Sequence, residues 1–362
     1  MAQESSVRGT VVEPVVRAWA LGAAATVAVV CAIVLTAPWD PHGSVFDADD
    51  EAVTATAVPS LAPADATPTD AAQDAQDATT PPPDGGFFVD PRTQAYAAWR
   101  AADGTDRDLL ARIALVPQAH WVVTADAEAA RAETDEYTGA AHRAGRTALL
   151  VVYGIPERDC GNWSAGGVEA EAYGEWVRSI AAGIIGDVWV VLEPDALAMI
   201  DRCGDREERE ELLRTAARDL TDVGARVYVD AGSSHWLSAR EAAARLAEVG
   251  VDEVAGFALN VSNYYPTSDA VEYGREVSAL LGGTRFVVDT SRNGRGSDGQ
   301  WCNPADRALG DAPRRVQDGT PVDALLWVKH PGQSDGECNG GPPAGAWWHA
   351  MALDLARNAA EG

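Results

Sequence analysis

From about residue 87 the chain repeats one pattern seven times: a short apolar run ends abruptly in polar residues, and a helical stretch follows. The runs span residues 120–126, 147–159, 188–196, 226–236, 256–265, 285–294 and 324–332. Strands that alternate with helices predict a parallel sheet. Nearly continuous apolar runs are typical of strands that are buried on both faces. Seven such units in succession favour one α/β domain built as a TIM-like (β/α) barrel over two separate domains.

Polar side chains stand at the ends of most of these runs, where a (β/α) barrel carries its active site. They are Asp159, Asp195, Asp230, Asn263, Asp289 and Lys329. A single aspartate there is equally well explained as the cap of the next helix. Four or more acids that converge on one face instead indicate acid–base chemistry. No histidine spacing of a metal site and no calcium-loop pattern accompanies them, so we expect no metal ion and no cofactor.

Aromatic residues occur at the same ends: Trp121, Tyr153, Trp236 and Trp301 lie at or just beyond a strand. Core packing explains any one of them about as well as a binding role. On a face rich in carboxylates, however, indole rings are typical of platforms on which sugar rings pack. The residues alone therefore predict a glycan-processing barrel with paired carboxylates.

The charge of the chain limits its partners. It has 55 acidic residues against 28 Lys and Arg, a formal net charge of −27, and no basic patch in the sequence. Such a surface repels phosphate backbones, so nucleic acid is not expected as a partner. Lys329 is the only lysine; its place near the end of the seventh run, six residues before Asp335, favours a role in the site over chance.

The N-terminal region predicts export. Residues 18–37 carry no charge, follow Arg8 and Arg17, and are long enough to cross a bilayer core of roughly 30 Å. A cleaved signal peptide has a shorter apolar core and a small-x-small cleavage site, which "VLTAP" matches poorly. We favour an uncleaved transmembrane signal-anchor, with residues 1–17 in the cytoplasm, over a cleaved signal peptide.

Residues 38–86 hold eight prolines, ten acidic residues and no Lys or Arg. A segment of this composition cannot bury enough apolar surface to fold. It predicts a disordered linker that holds a domain of residues 87–362 outside the cell membrane, with the membrane as a partner only through residues 18–37.

Cysteine usage agrees with export. Cys31 lies in the apolar segment, which leaves Cys160, Cys203, Cys302 and Cys338. An even number suits two disulfides, whereas a zinc site is disfavoured by the absence of a CxxC motif and the few histidines. Three pairings are open from the sequence alone, and the sequential pairing closes the shortest loops.

Eight motifs resemble the family 6 glycoside hydrolases, the inverting cellulases, in order and spacing. They are "IALVPQAHWV", "VVYGIPERDCGNWSAGG", "VLEPDALAMI", "VDAGSSHW", "LNVSNY", "VVDTSRNG", "WCNP" and "WVKHPGQSDGEC". The resemblance extends from about residue 87 to 355. It implies a distorted seven-stranded (β/α) barrel, preceded here by the N-terminal apolar helix and the disordered linker. It also implies hydrolysis of β-1,4-glucosidic bonds with inversion of configuration.

The resemblance assigns roles to four carboxylates. Asp195 of "EPD" would be the general acid that protonates the leaving oxygen. Asp159 of "RDC" would raise the pKa of that acid and help to move a proton from water. Asp230 would support the environment of the acid. Asp335 matches the residue often proposed as the base, and an inverting site needs acid and base roughly 6.5–9.5 Å apart.

The resemblance also implies binding residues and disulfides. Substrate would contact Trp121, Tyr153, Trp236, Asn263, Trp301, Lys329 and Gln333. The disulfides would be Cys160–Cys203 and Cys302–Cys338. Three residues depart from the usual family pattern and would all contact substrate: Ala165 replaces Ser, Ser233 replaces His, and Gln333 replaces Glu.

The short loop between Cys302 and Cys338 favours an open cleft and endo cleavage over an enclosed tunnel. The leading hypothesis is therefore a monomeric, extracellular endo-β-1,4-glucanase, either secreted or anchored by residues 18–37. One alternative is a glycan-binding barrel with little or no turnover, motivated by the three departures. Another is a hydrolase of a different β-glucan, motivated by the predicted tether.

Overall fold

The computed structural model describes residues 86–360. The predictions made for residues 1–17, 18–37 and 38–85 lie outside the described residues. Within the described part of the chain, no helix combines the length and the apolar character that crossing a bilayer requires.

Eight strands form one sheet in the order β1-β2-β3-β4-β5-β6-β8-β7. Seven of them are parallel to their neighbours: β1 His120–Val122, β2 Ala148–Val152, β3 Val188–Leu192, β4 Arg226–Asp230, β5 Gly256–Leu259, β6 Arg285–Asp289 and β8 Val322–Leu326. These are the seven predicted strands, which are therefore confirmed. The remaining strand, β7 Arg314–Arg315, pairs antiparallel with β8. It was not predicted, because a two-residue pair of arginines has no apolar run.

The sheet curls into a distorted barrel, as predicted. Its first and last parallel strands, β1 and β8, are not paired as a ladder. Instead the backbone N–H of Ala119 donates a 3.0 Å hydrogen bond to the carbonyl of Trp327, and the indole N–H of Trp121 donates to the carbonyl of Val328 at 2.8 Å. The barrel is therefore joined at this seam by single contacts that lie directly beside the carboxyl ends of the strands.

Eight α-helices accompany the strands in the described residues. They are α1 Gln94–Ala101, α2 Gly104–Ala114, α3 Ala127–Arg143, α4 Ala170–Ala182, α5 Arg206–Asp222, α6 Ala239–Glu248, α7 Thr267–Leu280 and α8 His349–Ala360. Side chains of Asp126, Asp205 and Ser238 cap the first turns of α3, α5 and α6 by accepting hydrogen bonds from backbone amides. These caps fix where each helix begins after its strand.

Alternation along the strands divides the core into two layers. In β2, Leu149 and Val151 point into the barrel, whereas Leu150 and Val152 pack against the surrounding helices. A third cluster packs α1, α2 and α8 around Trp327. Because both faces of each strand are buried, the polar side chains that follow the strands are left at the carboxyl edge of the barrel.

Candidate active site

Asp195 follows β3 and adopts a positive φ of 70°. Asp195 is partly exposed as a residue, and its backbone N–H donates a 2.9 Å hydrogen bond to the carboxylate of Asp230. Burial among neighbouring atoms, and then the negative charge of Asp159, raise the pKa of Asp195 to about 7, while the charge of Lys329 opposes this shift. Asp195 can therefore hold a proton near neutral pH, as a general acid must.

Asp159 lies in a short 3₁₀ helix, Asp159–Gly161, in the loop after β2. Its carboxylate accepts a 2.8 Å hydrogen bond from the backbone N–H of Ser164. The neighbouring Cys160 forms a disulfide with Cys203. Since Cys203 lies in the segment that follows Asp195, this disulfide ties the Asp159 loop to the loop of the candidate acid.

Asp230 is fully buried at the end of β4. One carboxylate oxygen accepts hydrogen bonds from the backbone N–H groups of Asp195 and Gly232, at 2.9 and 3.0 Å. The other oxygen has no hydrogen-bond partner among the described residues. Burial, and then the charge of Asp195, raise the pKa of Asp230 well above its usual range. Asp230 therefore positions the acid.

Asp335 has a dense set of cationic and hydrogen-bonding partners. Its carboxylate lies 2.9 Å from Nη1 of Arg292 and 3.5 Å from Nζ of Lys329. It also accepts 3.0 Å hydrogen bonds from the Tyr264 hydroxyl and the Asn303 backbone N–H. Burial alone would raise the pKa of Asp335, but Arg292 and then Lys329 hold it below its ordinary value. Asp335 is therefore ionised and a weak proton acceptor.

The second disulfide supports the Asp335 loop. Cys302 and Cys338 are bonded, so both disulfide pairings that the resemblance implied are confirmed. The side-chain amide of Asn303, next to Cys302, donates to the carbonyls of Gly336 and Cys338 at 2.8 and 3.1 Å. The segment that begins at Cys302 thus fixes both the backbone and the carboxylate of the Asp335 loop.

Asp289, one of the predicted strand-end acids, has a structural role. It is buried at the end of β6, and its carboxylate accepts hydrogen bonds from four backbone N–H groups, those of Ser262, Ser291, Val328 and Lys329. These bonds join the ends of three strands. Asp289 therefore holds the backbone of Lys329 in place, and the ammonium of Lys329 contacts Asp335.

Two of the predicted aromatic residues pack together at the seam of the barrel. The rings of Trp121 and Tyr153 lie 5.3 Å apart, edge to face. Tyr153 is largely buried, and the guanidinium of Arg158 lies over its ring, 4.8 Å from the ring centre. Trp121 remains partly exposed. The pair therefore presents one indole surface on the face that carries Asp195.

Three other tryptophans are the exposed aromatic side chains of this face. Trp236 is 40% exposed, Trp301 52% and Trp163 47%. Trp163 was not predicted, although it stands in the quoted motif four residues after Asp159. It packs against Gly336, where any side chain would collide with the indole ring. The loops of Asp159 and Asp335 therefore touch through Trp163.

The remaining predicted binding residues differ in accessibility. Asn263 is 7% exposed, and its side-chain amide donates to the carbonyl of Val261 at 3.0 Å. Gln333 is partly exposed, and its amide donates to the side-chain oxygen of Gln94 in α1 at 2.9 Å. Gln333 therefore has a hydrogen-bond partner within the protein, Gln94. A glutamate at position 333 would bring a carboxyl group, instead of a neutral amide, to the same partner.

The expectation that Ser233 contacts substrate is wrong. Its side chain is fully buried, whereas Ala165 is exposed. The cause is a tight turn in which the backbone N–H of Trp236 donates to the carbonyl of Ser233 at 3.0 Å. This turn directs Ser233 inward and leaves Trp236 at the surface.

Sequence reasoning missed Glu193, the first residue of the "EPD" motif. Glu193 is fully buried, and its carboxylate accepts hydrogen bonds from the backbone N–H groups of Gly154 and Ile155 and, at 2.8 Å, from the hydroxyl of Tyr173. Burial raises its pKa to about 7. It positions the segment after β2, and its place at the end of an apolar run is the same signal that identified the aspartates.

Arg292, the buried partner of Asp335, was also missed. It is 0% exposed and lies just after β6 in the quoted motif "VVDTSRNG". A buried arginine requires a carboxylate or several carbonyls as partners, but the sequence does not show which acid it meets. Within residues 86–360 no group of three or more His, Cys, Asp or Glu side chains is arranged to hold a metal ion.

Comparison with known proteins places this geometry in a family. The endoglucanase A of Cellulomonas fimi is 56% identical over 280 residues, covering 77% of this chain and 62% of the relative. The endoglucanase A of Thermobispora bispora is 40% identical over 294 residues, covering 76% of this chain and 63% of the relative. The chain thus spans less than two thirds of the length of these two relatives.

A solved structure of a similar protein supports the same family assignment. The endoglucanase Cel6 from Mycobacterium tuberculosis matches with a TM-score of 0.72 and 43% identity, covering 76% of this chain and 97% of the other. A family model, glycosyl hydrolases family 6, matches residues 85–359. That match takes in every strand of the barrel together with Asp159, Asp195, Asp230 and Asp335, and the chain belongs to the glycosyl hydrolases family 6.

Proposed function

We propose that this protein is an endo-β-1,4-glucanase that hydrolyses cellulose-like glucans with inversion of configuration. The observation that carries the proposal is the place of Asp195 directly after β3, where burial and the charge of Asp159 raise its pKa to about 7. A carboxyl group that keeps its proton near neutral pH, on a face with exposed indoles, is suited to protonate a glycosidic oxygen.

In the proposed reaction, Asp195 donates its proton to the leaving oxygen as the bond to the anomeric carbon breaks. A water molecule attacks that carbon from the opposite face and loses a proton, which inverts the configuration. Asp195 is left ionised, and the proton lost by water must pass to another group. When the accepting group passes its proton back to Asp195 through solvent, both groups return to their starting charge.

The contacts of Asp335 decide which group we assign as the proton acceptor. Arg292 and Lys329 lower the pKa of Asp335, which makes it a weak base although it matches the candidate base of the family. We assign Asp159, which is partly exposed, as the group that receives the proton through a second water molecule. Asp335 stays in the proposed catalytic set as an ionised group held between Arg292 and Lys329, rather than as the base.

Substrate binding is assigned to the aromatic side chains on the same face. Trp121, Trp236 and Trp301, with Trp163 added from the structure, offer indole surfaces for sugar rings. Tyr153, Asn263, Lys329 and Gln333 complete the proposed binding set. The solved relative from Mycobacterium tuberculosis is complexed with a thio-linked cellobiosyl cellobioside, which supports a β-1,4-linked glucan as the substrate.

Endo cleavage is supported by two observations. Four relatives that are between 40% and 56% identical to this chain are named endoglucanases. The Cys302–Cys338 disulfide encloses a short segment, with a sequence separation of 36. We propose that this loop leaves the cleft open, so that an internal bond of a long chain can enter.

We further propose that the catalytic domain of residues 87–362 works outside the cell. Its two disulfides are typical of exported proteins. Residues 1–17, 18–37 and 38–86 keep their proposed roles as a cytoplasmic N-terminus, a signal-anchor or signal peptide, and a linker. The chain is proposed to act as a monomer without a cofactor.

The test is reducing-sugar release from carboxymethylcellulose by the wild type and by Asp195→Asn. Asparagine is used because position 195 has a positive φ, which asparagine tolerates. We expect a loss of about 10²–10⁴-fold in kcat, the usual contribution of general acid catalysis. Asp306→Asn is the matched control, since Asp306 also has a positive φ and is exposed.

Two outcomes would contradict the proposal. Near-wild-type hydrolysis by a folded Asp195→Asn variant would remove Asp195 from the chemistry. A wild-type protein that binds cello-oligosaccharides but releases no reducing sugar would be a glycan-binding barrel instead. Comparing product release from carboxymethylcellulose with that from mixed-linkage and β-1,3-glucans tests the third hypothesis, a different β-glucan substrate.

A further inference from the structure

Three arginines that are distant in the sequence meet at the amino-terminal edge of the barrel. Arg226 and Arg285 are the first residues of β4 and β6, and Arg315 is the last residue of β7. Together with Val316, Gln317 and other side chains they line a cavity of about 420 Å³. This cavity lies at the opposite end of the strands from Asp195, so it is separate from the candidate active site.

The indole of Trp189 lines this arginine cavity, and the ring of Phe87 lies beside Arg315. The guanidinium carbons of Arg226 and Arg315 lie 4.9 and 5.0 Å from the ring centre of Trp189, and that of Arg315 lies 5.5 Å from the ring centre of Phe87. Trp189 is 5% exposed. Stacked guanidinium groups keep their edges free to donate hydrogen bonds in the plane of the group.

Two buried donors at the cavity lack acceptors. Within residues 86–360, neither the indole N–H of Trp189 nor the Nε–H of Arg315 has a hydrogen-bond partner. Buried polar groups are nearly always hydrogen-bonded in folded proteins. Donors of this kind beside a cavity are available to a polar acceptor that enters it.

The charges around the cavity do not balance. Asp323, whose side chain is 8% exposed, is shared by Arg226 at 3.1 Å and by Arg285. Asp187 lies 3.2 Å from Arg315 and is 55% exposed. Three guanidinium groups thus face two carboxylates, which leaves one positive charge in a chain with a net charge of −27. A further carboxylate would balance this charge and supply the missing acceptor.

The sequence just before the first described residue is rich in carboxylates. Residues 65–85 contain no Lys or Arg and five aspartates: Asp65, Asp70, Asp74, Asp77 and Asp84. The domain begins directly beside the arginines, because the backbone N–H of Phe88 donates to the carbonyl of Thr147 and the Thr147 hydroxyl contacts Arg315. Asp84 is three residues from Phe87, a span of at most about 10 Å.

We propose that the acidic segment 65–85 docks an aspartate carboxylate into the cavity formed by Arg226, Arg285 and Arg315, with Asp84 the nearest by chain distance. The docked carboxylate accepts hydrogen bonds from the guanidinium groups. This contact holds the segment at the end of the barrel opposite the catalytic face. The proposal is independent of the proposed function.

The test measures arginine reactivity in the full-length chain. The protein is treated with phenylglyoxal, and modification of Arg226, Arg285 and Arg315 is followed by peptide mass mapping, with the exposed Arg112 as a reference. The test variant replaces the five aspartates of residues 65–85 by asparagine. The matched control removes five charges farther upstream, with the substitutions Asp40→Asn, Asp47→Asn, Asp49→Asn, Asp50→Asn and Glu51→Gln.

We expect the three cavity arginines to be modified several-fold faster in the test variant than in the wild type, and the control variant to match the wild type. Equal rates in all three proteins, or an equal increase in both variants, would overturn the proposal. A parallel series with malonate tests for a free anion instead. Protection by malonate in the test variant alone supports docking, whereas equal protection of the wild type overturns it.

Discussion

The backbone N–H of Asp195 donates a 2.9 Å hydrogen bond to Oδ1 of Asp230, and the same oxygen accepts a 3.0 Å hydrogen bond from the backbone N–H of Gly232. The candidate acid follows β3, whereas its support is the last residue of β4. The backbone of the acid, which has a positive φ, is therefore held by a buried carboxyl group of the neighbouring strand. Because of this relationship, the role of Asp230 as a hydrogen-bond acceptor can be tested separately from the role of its charge.

Asp230→Asn and Asp230→Ala should behave differently. Burial, and then the charge of Asp195, raise the pKa of Asp230 well above its usual range, which favours the uncharged carboxyl group. Asparagine keeps the accepting oxygen, and we expect a stability close to the wild type. Alanine leaves two buried N–H groups without an acceptor, and we expect a loss of about 1–3 kcal/mol in the free energy of unfolding and a lower kcat.

Urea unfolding and carboxymethylcellulose hydrolysis measure these two effects. The comparison is internal, since both variants remove the same carboxyl group. If asparagine is as damaging as alanine in both measurements, the charge of Asp230 matters more than its hydrogen bonds, and the positioning role assigned here is wrong.

The pH dependence of hydrolysis should report the environment of Asp195. An acid with a pKa of about 7 is protonated below that pH, so kcat/KM should fall as the pH rises through about 7. The charge of Asp159 raises this pKa, so Asp159→Asn should move the alkaline limb of the profile to lower pH. Its residual activity should also be reduced, because Asp159 is the proposed proton acceptor.

Lys329→Met should shift the alkaline limb of the pH profile in the opposite direction. The ammonium of Lys329 lowers the pKa of Asp195, and its removal should move the alkaline limb to higher pH. Profiles of kcat/KM for the wild type and both variants are compared under the same salt conditions. Shifts in the same direction for both variants would show that Asp195 is not the group that sets the limb.

Glu193→Gln should destabilise the domain although the two side chains have nearly the same shape. The carboxylate of Glu193 accepts from two backbone N–H groups and from the Tyr173 hydroxyl. Glutamine has one accepting oxygen, and its NH₂ group would face a donor. We expect a loss of about 1–3 kcal/mol in the free energy of unfolding.

The loss should be visible by urea unfolding, with Glu253→Gln as a control on an exposed side chain. Since Glu193 positions the segment after β2, kcat should fall while the alkaline limb that reports Asp195 stays in place. An unchanged kcat with an unchanged stability would mean that the hydrogen bonds of Glu193 are dispensable.

The sequence predicted the strands and the acids at their ends because both depend on local patterns. Apolar runs specify buried strands wherever the rest of the chain lies, and parallel strands bring their carboxyl ends to one edge. The patterns could not separate Asp289 from Asp195, since both are aspartates after a strand. Burial and backbone direction separate them: Asp289 turns inward to four backbone N–H groups, while Asp195 remains partly exposed.

The sequence did not predict contacts between distant segments, because these contacts do not depend on local patterns. Arg292 and Asp335 are 43 positions apart, and the sequence around one of them does not identify the other as its partner. Ser233 is buried at a turn in which its carbonyl accepts a hydrogen bond from the backbone N–H of Trp236. The disulfides were accessible only through the family resemblance, because four cysteines allow three pairings.

The two disulfides should contribute similarly to stability but differently to the site. They close segments with sequence separations of 43 and 36, so replacing either pair by serine should lower the free energy of unfolding by up to about 4 kcal/mol. Cys160–Cys203 joins the loop of Asp159 to the segment after Asp195. Its loss should let Asp159 move away and so lower the pKa of Asp195.

Cys160→Ser/Cys203→Ser should therefore move the alkaline limb of kcat/KM to lower pH, in the direction expected for Asp159→Asn. Cys302→Ser/Cys338→Ser is the matched control: it loses a comparable loop closure but leaves the Asp159 loop attached, so its limb should stay with the wild type. Both are measured well below their unfolding temperatures. An equal shift in the two variants would mean that general loosening of the domain, rather than the separation of Asp159 from Asp195, sets the pKa of the acid.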